Sequence, residues 1–186
     1  QDGYRDRVKL ATKLPTWLIK APEDFDRYLG EQLDKLQTDH IDLYLLHGLN
    51  GKRWPVMVEA NVLASAQKAI ADGRIRRLGF SFHDTFEAFK QIVDAHTWDF
   101  CQIQYNYMDT HNQAGTKGLQ YAAAKGMGVV VMEPLLGGRP VNPPQPVLAP
   151  VVDYVTDDMA QPVLLRVINV YTAAHASLAE IVQAER

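Results

Sequence analysis

The stretch Ile41–His47, which reads IDLYLLH, decides the fold of this 186-residue chain. Its nearly continuous apolar run is typical of a strand buried on both faces, and the run ends on the ionisable residue His47. A second predicted strand covers residues 8–14, is stopped by Pro15 and carries Lys13 near its end. A lysine and a histidine at the ends of two successive strands predict a catalytic site at one rim of a sheet or barrel.

Strand and helix patterns alternate outward from this stretch. The predicted strands cover residues 8–14, 41–46, 75–82, 100–107 and 129–132, and helical spacing of apolar residues separates them. This alternation implies parallel strands with right-handed crossovers, in an open doubly wound sheet or in a (β/α)8 barrel. No G-x-G-x-x-G turn follows a strand, and polar residues recur at the strand ends, so the barrel is favoured. Because a complete barrel has about 250 residues, the predicted fold class is α/β, an incomplete (β/α)8 TIM barrel of about five strand–helix units.

Composition sets the domain division and the expected surroundings. Residues 1–140 are predicted to form the partial barrel, 141–162 a proline-rich linker and 163–186 a helical tail. The net charge of −3 leaves no basic footprint for nucleic acid, and no apolar run reaches the roughly 20 residues of a membrane helix. The single cysteine, Cys101, agrees with a reducing compartment. We expect a cytoplasmic protein without nucleic-acid or membrane partners, and the sequence leaves its oligomeric state open.

Each polar residue at a strand end has a structural and a functional interpretation. Lys13 is either a surface lysine, a cation that acts on a neighbouring acid, or a Schiff-base lysine. His47 is either a hydrogen-bonded structural histidine or a catalytic one. Ser81 and Gln104 bring hydrogen-bonding side chains to positions where a central strand normally has apolar ones, which indicates either a buried polar network or a ligand site.

The loop at residues 132–138, MEPLLGG, follows the last predicted strand. Its backbone N–H groups could approach a phosphate, although a plain turn explains the two glycines as well. His83, Asp84 and Glu87 have a spacing that could suit metal ligands. A helix cap explains Asp84 and Glu87 better, so no metal is predicted.

Five ordered segments of the chain match one family: LATK at 10–13, LQTDHIDLYLLH at 36–47, GRIRRLGFS at 73–81, QIQYN at 102–106 and EPLLGG at 133–138. On these segments the chain resembles the aldo-keto reductases, which are NADPH-dependent (β/α)8 barrels. Residues 79–84, GFSFHD, are most similar to the bacterial and archaeal branch that often carries a C-terminal iron–sulfur segment. The cysteine motif of that branch is absent from this sequence.

The resemblance implies hydride transfer from a nicotinamide to an aldehyde or ketone. By match to the motifs, Lys13 would lower the pKa of a catalytic tyrosine, and His47 would orient the carbonyl group of the substrate. Ser81 and Gln104 would hold the nicotinamide carboxamide. The other implied cofactor-binding residues are Phe82, Met132, Glu133, Leu135 and Gly137, and Trp17 and Trp54 would line the substrate pocket.

The chain also departs from the family pattern. Phe82 stands where many members have asparagine, and Met132 stands where many stack an aromatic ring on the nicotinamide. The family's tyrosine and aspartate would precede the Lys13 segment, and no residue of this chain is assigned to them. The leading hypothesis is NADPH-dependent reduction of a small carbonyl substrate, with NADH as a possible cofactor. The alternatives are a Schiff-base lyase of the aldolase type that uses Lys13, and a non-catalytic nicotinamide-binding or regulatory barrel.

Overall fold

The computed structural model describes residues 4–106, 109–134 and 180–182. The chain divides into two compact units, the first comprising Gln1–Ser81 with Ala173–Arg186 and the second Phe82–Thr172. In chain order the elements are a 3-10 turn (Tyr4–Arg7), β1 (Lys9–Leu14), a 3-10 turn (Thr16–Leu18), α1 (Glu23–Leu36), β2 (Ile41–Leu49), α2 (Arg53–Glu59), α3 (Val62–Ala71), β3 (Ile75–Phe82), α4 (Phe86–Asp94), β4 (Phe100–Gln104), α5 (Gly115–Ala124), β5 (Gly128–Met132) and β6 (Glu180–Val182).

In the first unit, the strands follow the order β3-β2-β1-β6, and β1 and β2 are parallel. The amphipathic helix α1 lies against β1 and α3. Phe25 of α1 and Tyr44 of β2 are fully buried, and their rings meet edge to face with centroids 5.8 Å apart. Side chains alternate along a strand, so the face of β2 that carries Tyr44 is covered by α1 and the face that carries His47 is the opposite one.

An ion-pair cluster ties β1 to β2 at their amino-terminal ends. The buried carboxylate of Asp42 accepts a hydrogen bond from the backbone N–H of Leu10 at 2.9 Å and lies 2.9 Å from the guanidinium of Arg5 and 3.5 Å from the ammonium of Lys9. Burial alone would raise the pKa of Asp42, but the Leu10 N–H and the two positive charges outweigh it and hold the pKa below its ordinary value.

In the second unit, β4 and β5 are parallel, with Gln104 in register with Met132. Helix α5 packs on α4, β4 and β5. Helix α4 begins after Thr85, whose hydroxyl accepts a hydrogen bond from the N–H of Ala88 at 3.4 Å. The predicted cap by Asp84 is therefore wrong by one residue, because Asp84 instead accepts from the N–H of Thr85 at 2.7 Å. Both units have the predicted strand–helix order.

Two boundaries near the predicted site also differ from expectation. Strand β2 continues to Leu49, so His47 lies inside the strand and does not end it. The predicted loop after it contains helix α2, which places Trp54 on a helix. This helix starts where Asn50 accepts hydrogen bonds from the backbone N–H groups of Lys52 and Arg53 at 3.0 and 2.9 Å, a local interaction that favours a turn into a helix.

The predicted helical tail is wrong at residues 180–182, which form the short strand β6. This strand pairs antiparallel with β1, with Leu10 opposite Ile181. An uncovered strand edge offers N–H and C=O groups to any extended segment, and this pairing outweighs the helical spacing of the apolar residues. The predicted linker and the rest of the tail lie outside the described residues, so the domain division stays a prediction. Within the described part of the chain, no helix is long and apolar enough to span a membrane.

Candidate active site

Lys13 and His47 lie on one face of the sheet in the first unit, near the carboxyl ends of β1 and β2. Lys13 is in register with Leu45, and Leu45 and His47 point to the same face because they are two residues apart. The two-residue step places His47 about 7 Å farther along the strand direction than Lys13. Both side chains are half-buried. The two predicted catalytic residues are thus brought to the same face, away from helix α1.

The turn after β1 holds His47 from the side. The hydroxyl of Thr16 donates a hydrogen bond to the carbonyl oxygen of His47 at 2.5 Å. The ring of Trp17 meets the imidazole edge to face, with centroids 5.1 Å apart at 61°, and Trp17 is 51% exposed. Trp17 therefore contacts the predicted catalytic histidine and is about half exposed, and its predicted role in the substrate pocket stays a prediction.

Ser81 holds the backbone that follows His47. The buried N–H of Gly48 donates a hydrogen bond to the hydroxyl oxygen of Ser81 at 2.7 Å, and Ser81 is 1% exposed. Gly48 has φ +60, a conformation that favours glycine. A serine hydroxyl has one donor and two acceptor positions, so this bond uses an acceptor position and leaves the O–H of Ser81 able to donate to a ligand.

Arg53 is a cation near His47 that sequence reasoning missed. Its guanidinium donates to the carbonyl oxygen of Gly48 at 3.0 Å and lies 5.7 Å from the centroid of the Trp17 ring. The only sequence signal for this placement is Asn50-Gly51, a turn signal that precedes Arg53. Trp54, the next residue, is 5% exposed on α2, so its predicted substrate-lining role stays a prediction.

Gln104 and Met132 share one face at the carboxyl ends of β4 and β5, because they are in register. Each is 9% exposed. The side-chain amide of Gln113 donates a hydrogen bond from Nε2 to Oε1 of Gln104 at 2.7 Å. Sequence reasoning missed Gln113, which lies in the loop before α5 and has φ +56. This loop and the residues before α4 border a groove of about 550 Å³ that includes Gln113.

The remaining predicted cofactor residues are placed as follows. Phe82 is fully buried, and its ring meets that of Phe89 in α4 edge to face with centroids 5.2 Å apart. Its side chain thus packs towards the helix. Glu133 directly follows β5, is exposed and has φ +56. Leu135 and Gly137 lie outside the described residues. The roles of all four residues stay predictions.

No group of three or more His, Cys, Asp or Glu side chains among the described residues is arranged to hold a metal ion. The polar side chains at or near the strand ends that are predicted to contact a cofactor or substrate are Lys13, His47, Ser81 and Gln104.

The chain belongs to the aldo/keto reductase family, whose family model matches residues 1–142. It is similar to the uncharacterized oxidoreductase YrpG of Bacillus subtilis (strain 168), with 29% identity over 150 residues, 72% of this chain and 44% of that protein. It is also similar to the methylglyoxal reductase YeaE of Escherichia coli (strain K12), with 28% identity over 121 residues, 64% of this chain and 38% of that protein.

A solved structure supports the same family assignment. The aldo/keto reductase from Klebsiella pneumoniae in complex with NADP and acetate is 25% identical, with a TM-score of 0.61 over 83% of this chain and 54% of that chain. The chain spans about half the length of such relatives, or less. The match confirms the predicted fold class, an incomplete (β/α)8 barrel. The resemblance to the iron–sulfur branch stays a prediction.

Proposed function

We propose that this chain belongs to an NADPH-dependent enzyme that reduces an aldehyde or ketone. The observation that carries the proposal is the placement of Lys13 and His47 on one face at the carboxyl ends of two adjacent parallel strands. That is where barrel enzymes have their catalytic groups. Family membership supports it, as does the NADP bound to the similar Klebsiella enzyme.

The two predicted carboxamide ligands each keep a hydrogen-bond donor that suits the oxygen of a nicotinamide carboxamide, each within its own unit. A nicotinamide carboxamide offers one acceptor oxygen and one donor NH2 group. In the first unit, the Ser81 hydroxyl already accepts from Gly48 and keeps its O–H to donate. In the second unit, the amide of Gln104 uses Oε1 with Gln113 and makes no other side-chain hydrogen bond among the described residues, which leaves its Nε2 to donate.

NADPH would supply the hydride, and the residues of this chain would prepare the carbonyl group to receive it. The imidazole of His47, held by the Trp17 ring, would donate a hydrogen bond to the carbonyl oxygen and polarise it as negative charge develops there. The ammonium of Lys13 would favour the deprotonated form of a nearby acid through its charge, which lowers the pKa of a proton donor. Arg53 adds positive charge beside Trp17.

A binding and turnover experiment with matched variants tests the proposal. NADPH is titrated by fluorescence, and NADPH oxidation is followed with methylglyoxal, a carbonyl compound suggested by the name of the relative YeaE. We expect His47→Ala to bind NADPH like the wild type but to lose kcat/KM by about 100-fold or more. His96→Ala is the control, because His96 contacts Trp98, which precedes the amino end of β4.

Three outcomes contradict the proposal. Absence of NADPH binding removes the cofactor assignment. Binding without turnover supports the non-catalytic nicotinamide-binding alternative. Incorporation of the carbonyl compound at Lys13 after borohydride treatment supports the lyase alternative, and Lys68→Met, an exposed lysine of α3, is the control for Lys13→Met in that experiment.

A further inference from the structure

The side-chain amides of Gln113 and Gln104 are hydrogen-bonded to each other. Gln113 donates from Nε2 to Oε1 of Gln104 at 2.7 Å, so the acceptor end of Gln104 is engaged. Among the described residues, the donor end of Gln104, Nε2, makes no hydrogen bond. A side-chain amide can turn by 180° without changing its shape, so an interaction of this kind is needed to choose one of the two orientations.

The loop that carries Gln113 is itself held in place. The carbonyl oxygen of Thr110 accepts hydrogen bonds from the N–H of Thr116 at 2.8 Å and from its hydroxyl at 3.1 Å. The Thr116 hydroxyl also lies 3.1 Å from that of Tyr105, the residue after β4. The left-handed backbone of Gln113 thus lies in a loop tied to the end of the same strand that carries Gln104. A held loop can present a donor at a fixed position, which reduces the entropy lost on binding.

Packing alone does not account for a glutamine at position 113. Its Oε1 atom is buried and has no hydrogen-bond partner within the described ranges, and leaving a polar atom buried and unpaired costs about 1–3 kcal/mol. An apolar side chain of similar size would fill the space without that cost. Within the described part of the chain, the bond to Gln104 is the one hydrogen bond that the Gln113 side chain makes, so orienting Gln104 is the role that explains its chemistry.

We propose that Gln113 is a positioning residue that orients Gln104 so that Nε2 of Gln104 donates to the carboxamide oxygen of the nicotinamide. The inference rests on the proposed function, which gives Gln104 to the nicotinamide. With Gln104 in this orientation, the second unit selects a cofactor group that accepts a hydrogen bond. This selectivity depends on Gln113, a residue outside the segments that carry the family resemblance.

The test compares NADPH with its reduced 3-acetylpyridine analogue by isothermal titration calorimetry. The analogue keeps the carbonyl oxygen but has a methyl group in place of the NH2 group. We expect the wild type to bind both within about threefold, since the contact from Gln104 needs only the oxygen. Gln113→Glu can only accept, so Gln104 turns its Nε2 to the new carboxylate and presents Oε1. The analogue then has no donor for Oε1, and its Kd relative to that of NADPH rises about tenfold.

Two further variants separate orientation from a general loss of structure. Gln113→Lys keeps a donor for Oε1 of Gln104, so we expect it to retain the wild-type ratio of the two Kd values. Gln120→Glu makes the same chemical change at an exposed position of α5 and leaves the ratio unchanged. The negative charge added by Gln113→Glu acts on both ligands alike, so it cancels from the ratio.

An unchanged ratio in a folded Gln113→Glu variant overturns the inference. A wild type that already prefers NADPH to the analogue by about tenfold also overturns it, because Gln104 then presents its oxygen. If Gln113→Glu melts more than about 10 °C below the wild type, its Kd ratio is not interpretable, and the Kd of Gln113→Leu for NADPH is measured in its place. Loss of the donor should raise the Kd for NADPH by about threefold, and an unchanged Kd refutes the inference. If the wild type does not bind NADPH, the proposed function is refuted. If the wild type binds NADPH but the Gln113 variants show unchanged Kd values and an unchanged ratio, only the inference about Gln113 is refuted.

Discussion

Removal of a buried hydroxyl group should have opposite effects on the stability of the fold at two positions, Tyr44 in β2 and Ser81 in β3. The hydroxyl of Ser81 accepts a hydrogen bond from the N–H of Gly48 at 2.7 Å. The hydroxyl of Tyr44 is buried without a hydrogen-bond partner among the described residues. Burial raises the pKa of Tyr44, so this hydroxyl stays neutral and the comparison involves no change of charge near neutral pH. Ser81→Ala should therefore destabilise the fold, and Tyr44→Phe should not.

The size of each change in the free energy of unfolding depends on whether the substitution leaves a buried polar group unpaired or removes one. Ser81→Ala leaves the buried N–H of Gly48 without its acceptor, which costs about 1–3 kcal/mol of unfolding free energy. For a chain of this size that corresponds to a fall in Tm of about 2–4 °C for each kcal/mol. Tyr44→Phe keeps the ring contact with Phe25 at 5.8 Å and removes an unpaired polar atom. We expect it to raise the free energy of unfolding by about 1 kcal/mol.

Urea unfolding at neutral pH, followed by tryptophan fluorescence, measures both changes. Ser65→Ala is the control, because it removes the same hydroxyl from a half-buried position in α3 and should leave the midpoint nearly unchanged. Wild-type stability in Ser81→Ala, with an unchanged m value, would refute the hydrogen bond to Gly48. A loss of more than about 1 kcal/mol in Tyr44→Phe would show that the Tyr44 hydroxyl is paired.

Three further predictions follow from single residues. Gly48→Ala places a side chain at φ +60 with its Cβ 3.1 Å from Nη1 of Arg53. We expect urea unfolding to show a loss of about 1–2 kcal/mol in the free energy of unfolding. Gly30→Ala is the control and should show no such loss, because a Cβ there meets nothing within 4 Å. Asp42→Asn should cost about 1–3 kcal/mol near pH 7. Because the folded-state pKa of Asp42 is lowered, its contribution is complete above its unfolded pKa of about 4 and is lost as the pH falls through the folded pKa, so the wild-type and variant curves should converge in acid. Cys101 is fully buried and its pKa is raised to about 12, so a thiol reagent should modify it only after unfolding, and modification of the native protein at neutral pH would contradict the burial.

The order of strands and helices could be predicted because periodicity is a local property of the sequence. A run such as residues 41–46 is apolar at every position, which strands buried on both faces require, and helix α1 shows its apolar residues at helical spacing. The same reasoning found Lys13 and His47, since ionisable residues at the ends of apolar runs are conspicuous. Their common face followed only once the register of Lys13 with Leu45 was known.

Features fixed by single side chain–backbone bonds could not be predicted. The turn signal Asn50-Gly51 does not show that a helix follows it, and nothing in the sequence pattern shows that Thr85 and not Asp84 caps helix α4. Strand β6 depends on a partner that is distant in sequence, the edge of β1. Pairing at a strand edge responds to the available backbone groups more than to side-chain spacing, so the helical pattern near residue 181 was misleading.

The residues that carry the family resemblance are oriented by neighbours that do not carry it. Thr16 binds the backbone of His47, and Gln113 binds the amide of Gln104. Such contacts fix groups near the carboxyl ends of the strands, and catalysis and binding require fixed donors and acceptors. In the proposed function the motif residues supply the charges and hydrogen-bond donors, and residues such as Thr16 and Gln113 fix the positions of those groups. Substitutions at these supporting positions should change the affinity for cofactor or substrate while every motif residue is still present.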